Sequence, residues 1–134
     1  MLANAIYQRL AGHVQLAAMV GTKIYPSRAP DEAALPYVTY LDMAALDQAQ
    51  DLNGKGDLSL ARVQVDAWAT TAMEAKHIGD AVQAALEDFT GTVAGVRIAD
   101  VTLIGGFDDW EGGTGDTPTV TYRRMREFYV WIET

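Results

Sequence analysis

Cysteine is absent from the 134 residues, which excludes thiol nucleophiles, disulfide frameworks and thiolate zinc sites. Histidine is reduced to His13 and His77, and serine to Ser27 and Ser59. The two histidines do not stand at metal-ligand spacing, and no G-x-S-x-G elbow presents either serine. No metal, cofactor or catalytic set is therefore expected. Long apolar runs are missing too. Asn4, Gln8, Arg9, His13 and Gln15 interrupt the apolar residues of the first twenty, so neither a targeting signal nor a membrane span is expected. Positive charge is scarce, with 10 basic against 18 acidic residues and a formal charge of −8. Gripping a phosphate backbone depends on Lys and Arg displacing counterions, so such an acidic chain is poorly built for it.

What is present suits one globular domain over residues 1–134. Hydrophobic residues make up 49% and charged residues 21%, enough apolar surface to bury a core. Leu2, Ile6, Leu10, Val14 and Ala17 recur at helical spacing. Gly12 interrupts them, which predicts a break and a short second helix ending at Gly21. Thr22–Pro26 and Tyr37–Met43 read as strands, with a loop over Ser27–Leu35. Residues 44–57 are polar, and Asn53-Gly54 is a turn signal. Ser59–Ala69 alternates, with Ala61, Val63, Val65 and Ala67 on one face and Arg62, Gln64 and Asp66 on the other, as a half-buried strand does.

Thr71 and Glu74 fit a capping box opening a helix that runs to Phe89. Its apolar face is Ala75, Ile78, Val82, Ala85, Leu86 and Phe89, and Gly91 is read as its stop. Val96–Ile104 and Val120–Ile132 read as strands, and a phase slip near Ala99-Asp100 predicts a β-bulge. Gly105–Pro118, rich in glycine and acid, reads as a loop between them. The expectation is α+β: a single layer of mostly antiparallel sheet packed against two main helices, in the order α-β-β-β-α-β-β.

Two features stand out as candidate partner sites. The stretch Gly105–Pro118 carries Asp108, Asp109, Glu111 and Asp116, but not at the alternate positions of a calcium loop. Four carboxylates with no following lysine also argue against a phosphate site. It reads either as a solvated loop or, because of Trp110, as an anchor for a partner. Asp51 and Asn53, in the other polar stretch, are candidates of the same kind. The basic cluster Arg123, Arg124 and Arg126 is the second feature. Arg124 and Arg126 share a face with Tyr122, Phe128 and Val130, so they either guard an edge strand or pair with acids of a neighbouring subunit.

Four sequence words, in order, carry a family resemblance: Leu16-Ala-Ala-Met-Val-Gly-Thr-Lys-Ile-Tyr-Pro26, Leu35-Pro-Tyr-Val-Thr-Tyr40, Ala61-Arg-Val-Gln-Val-Asp-Ala-Trp-Ala69 and, after a helix, Phe128-Tyr-Val-Trp131. The chain resembles the phage tail completion proteins, the tail-terminator or tail-to-head joining family of long-tailed phages and gene transfer agents. It departs from them at Arg124 and Arg126, where apolar residues are usual. The resemblance implies a structural protein without an active site, assembled in the host cytoplasm and located in the virion at the tail/neck junction. It implies a homo-hexamer whose ring ends the tail tube and meets the tube protein and the neck or head-closure protein. DNA would pass through the ring without sequence-specific binding, and no membrane is involved. A different tube or neck subunit, or a small ligand-binding domain, are the alternative readings.

Overall fold

A computed structural model of the chain describes residues 2–43, 58–114 and 117–133. Asp51, Asn53, the Asn53-Gly54 turn signal and Asp116 lie outside them. The chain opens with α1 (Leu2–Ala11) and α2 (Val14–Val20), separated at Gly12 as its position predicts. His13 caps α2, its Nδ1 accepting from the Leu16 N–H at 3.4 Å, so this histidine does structural work. Gly21 closes α2 with φ at 61°, a left-handed value that glycine adopts without strain. Then come β1 (Ile24–Pro26), β2 (Tyr37–Asp42), β3 (Leu58–Ala69), α3 (Ala72–Leu86), β4 (Gly91–Val93), β5 (Val96–Thr114) and β6 (Thr117–Glu133).

These strands form one sheet in the order β1-β2-β3-β6-β5-β4. Among the described strands only β1 and β2 run parallel. The helices cover one face. Leu2, Ile6 and Leu10 of α1, Leu16 and Val20 of α2, and Ile78, Val82 and Leu86 of α3 close over Ala61, Val63, Val65, Phe128 and Val130. The capping oxygen of Thr71 accepts from the Glu74 N–H at 3.1 Å. The return bond of the box goes from the Thr70 N–H to Glu74, one residue earlier than the sequence pattern implies.

Three expectations need correction. The second long helix ends at Leu86, and Gly91 is not its stop. Glu87 turns extended, Asp88 takes φ 63°, and the Asp88 N–H then bonds the Val101 carbonyl at 2.8 Å, steering the chain away from the helix axis. Arg9 from α1 donates to the Ala85 carbonyl at 2.6 Å and stacks 3.9 Å over Phe89, placing a cation where the helix dipole is negative. Secondly, Gly91 instead opens β4, a three-residue strand that the sequence pattern does not announce.

The largest correction concerns Gly105–Pro118. Its described residues belong to β5 and β6, which form one long hairpin rather than two strands and a loop. Glycines and carboxylates lower local strand propensity, yet cross-strand pairs override it. Asp108 faces Arg124, Asp109 faces Arg123, Phe107 faces Met125 and Trp110 faces Tyr122. The predicted bulge is present, as a register shift between Ile98 and Asp100, with a further shift between Leu103 and Gly105.

Candidate assembly surface

The far half of the β5–β6 hairpin leaves the body of the molecule. On one side, β3 ends at Ala69, opposite Tyr122, so Thr117–Thr121 run past it. On the other, β4 accompanies β5 only from Val96 to Ile98. Among the described residues, no strand lies along β5 beyond that point. Residues 104–111 are all exposed. Trp110 is 65% exposed and Phe107 47%, large apolar groups that folding alone leaves in water.

Three arginines brace this hairpin, each paired with an acid of the same chain: Arg123 and Arg126 tie it to β3 and α3, and Arg124 joins its two strands. Arg123 lies on the face away from the helices. Its Nε is 3.1 Å from Asp66 Oδ1, and its guanidinium sits 5.3 Å from the rings of both Trp68 and Phe107. Asp66 is buried and also accepts from Gln64 at 3.0 Å. Trp68 is held in turn by its Nε1–H bond to Thr39 at 3.0 Å. The result is a cation between two aromatic faces with its charge matched underneath.

Arg124 and Arg126 lie on the helix side, as the sequence phase predicts. Arg124 reaches Asp108 at 3.1 Å. Its stem crosses Gly79 so closely that a Cβ there would stand 2.9 Å from Arg124 Cδ. A mid-helix glycine costs about 1 kcal/mol, and here it makes room for the arginine. Arg126 has only 12% of its side chain exposed, and Asp80 is 3.9 Å away. Burial pushes its guanidinium pKa down, and the neighbouring charge of Arg124 adds to that effect. The Nε atoms of both arginines are buried without a hydrogen-bond partner. Gly106 lies beneath Arg126, and a Cβ there would collide with the Met125 carbonyl oxygen.

Asp109 and Glu111 make no ion pair among the described residues, whereas Asp108 pairs with Arg124. Glu111 rims a cleft of about 310 Å³ on the outer sheet face, with Arg28, Asp31, Tyr37, Asp66 and Trp68. Burial raises the Tyr37 pKa, with the negative charge of Glu111 adding to it. The cleft contains Ser27 but neither histidine, so it brings together no nucleophile and base. His77 is exposed on α3. Among the described residues no three His, Asp or Glu side chains gather as a metal site. Sequence reading missed Asp66 and Asp80 as the partners of Arg123 and Arg126, because both lie more than forty positions away in the chain. Gly79, set inside a strong helix pattern, was the available signal for a close approach.

Comparison with known proteins bears on the family and the fold. A family model described as tail completion protein gp17 matches residues 4–133. A chain from the virion of a native gene transfer agent particle superposes with a TM-score of 0.74, at 22% identity, over 97% of this chain and 92% of the other. A second solved chain gives a TM-score of 0.57 at 15% identity, over 96% and 92%. At these identities the two likenesses establish the fold. No curated protein matches the sequence. With a family model spanning nearly the whole chain, the protein belongs to the tail completion protein gp17 family, structural proteins of the phage tail rather than enzymes.

Proposed function

We infer that the protein closes the tail tube as a ring of six copies and joins the finished tail to the head. The observation that carries this reading is the far part of the β5–β6 hairpin, braced by its arginines, on which Trp110 stays mostly in water. A ring requires heterologous contacts, in which one patch meets a different patch on the next copy. An arm that leaves the body on one side supplies such a patch. Each copy brings a formal charge of −8, so seams must offset repulsion. Arg123, Arg124 and Arg126 contribute there by holding the arm in its one orientation, their acids being supplied in-chain.

The two polar stretches serve opposite faces of the ring. The hairpin turn lies at the start of β6, whereas Leu58, where the chain re-enters after residue 57, pairs with Glu133 at its end. β6 is 17 residues long, about 55 Å at strand rise. Trp110 with Asp108, Asp109, Glu111 and Asp116 therefore meets one neighbour, and Asp51 and Asn53 the other. The tube protein and the neck or head-closure protein are these neighbours. Carboxylates along the passage deny DNA the contacts that would hold it, so it slides through without sequence-specific binding. In the virion this places the protein at the tail/neck junction, after assembly in the host cytoplasm. Residues 1–134 act as one domain.

Electron microscopy of particles made without this protein tests the reading. Overlong tails unattached to heads are expected. Tails of normal length joined to heads would overturn it.

A further inference from the structure

The sheet has two edges, and they are finished differently. At β1 the Lys23 carbonyl accepts from Val38 and the Ser27 N–H donates to Tyr40, so Ile24 and Pro26 face outward by alternation. Ile24 spends its N–H on Thr22 at 2.9 Å. Pro26 has no N–H, and its carbonyl is taken by Arg28 at 2.6 Å. This edge offers almost nothing to another strand.

At β5 the Trp110 N–H donates to the carboxylate of its neighbour Asp109 at 2.8 Å, so it points away from β6. By alternation Gly106, Asp108 and Gly112 also turn their N–H and C=O groups outward. Four residues of strand edge are thus open, with Asp109 standing in for a partner at one donor. On the outer face this edge presents Asp109 and Glu111, and on the helix side Trp110.

We propose that the β5 edge from Gly106 to Gly112 is a docking site for an extended segment of another protein, added as a further strand. That segment carries lysine or arginine on the outer face and apolar side chains over Trp110. Strand addition supplies main-chain bonds, and alternate side chains supply selectivity. Charge argues against a second copy as the occupant. Seven of the ten cations are already in ion pairs within the chain. Arg9 and Lys23 donate to backbone carbonyls, and Lys55 lies outside the described residues. No described strand carries an uncommitted cation. Two β5 edges side by side would oppose their own acids. The proposal rests on the reading that this side of the subunit meets a tail or neck neighbour, but not on the number of copies in the ring.

The test uses the full chain and a peptide of about ten residues alternating lysine with valine, read by residue-resolved amide hydrogen exchange. The peptide should slow exchange at Gly106, Asp108, Trp110 and Gly112, leave the β1 edge unchanged, and lose its effect at high salt. Asp109→Asn with Glu111→Gln, both on the exposed face, should weaken binding about tenfold or more, or 1.4 kcal/mol per factor of ten. Three results would overturn the proposal: no protection, equal protection by a peptide with glutamate in place of lysine, or protection that rises with protein concentration alone. The last would assign the edge to a second copy and leave the ring reading intact.

Discussion

The near and far halves of the β5–β6 hairpin are one continuous ladder, yet they are stabilised by different forces. In the near half, Ile98, Val101, Phe128 and Val130 are fully enclosed beneath the helices, and the hydrophobic effect holds them. In the far half, α3 meets the hairpin chiefly through Gly79 beneath Arg124 and Asp80 beside Arg126. Charge pairs, stacked rings and two glycines that permit close approach replace the core. Only Thr117–Thr121 and their β5 partners form a two-stranded ribbon, which alone is marginal in water; Arg123, Arg124 and Arg126 brace the sheet just before it, where β3 still flanks β6. The difference shows how one continuous ladder can be held by a buried core at one end and by charge pairs and stacked rings at the other.

That contrast can be broken most forcefully from the near half. Phe128→Ala should cost about 3–5 kcal/mol, and Leu86→Ala about 2–5 kcal/mol, by lost burial and the cavity left behind. Either is severe against a domain stability of roughly 5–15 kcal/mol. Chemical denaturation measures both. A loss below about 0.5 kcal/mol, typical of surface sites, would mean the packing described for α3 and β6 is wrong.

Gly106→Ala comes next. Its new methyl meets the Met125 carbonyl, and relieving such crowding should cost about 1–3 kcal/mol. The same denaturation curves check it, and exchange at 105–112 should rise if the arm loosens. Asp66→Asn keeps the shape but removes the charge beneath Arg123. A lost hydrogen bond to a charged group costs about 1.5–3 kcal/mol; since Arg123 keeps a fifth of its side chain in water, the lower end is expected. A melt identical to the parent would remove Asp66 from its supporting role. Arg124→Glu with Arg126→Glu is not a surface change. It sets carboxylates against Asp108 and Asp80, so the arm itself should loosen.

Much of the near half was legible in the sequence, and little of the far half. The Gly12 break, the α3 apolar face and the Ala99-Asp100 bulge follow from local periodicity, which the fold preserves. The placement of Arg124 and Arg126 on the helix side was legible from strand phase. Their partners were not, because Asp80 and Asp108 reach them only through tertiary packing. β4 has three residues, too few to show a period. The parallel pairing of β1 with β2 likewise depends on how the Ser27–Leu35 connection is placed. The arm misled for a physical reason. Its β5 residues 104–111 face solvent, so they lack the buried alternation by which strands are recognised.

The smallest expected effect on folding is also the most direct test of the central claim, that the arm exists for assembly. Trp110→Ala removes a side chain that is mostly in water, so the isolated protein should melt within about 0.5 kcal/mol of the parent. In particles built with this variant, counted by electron microscopy, the fraction of tails joined to heads should fall sharply. A wild-type fraction of joined tails, with Trp110 absent and the fold intact, would contradict the account.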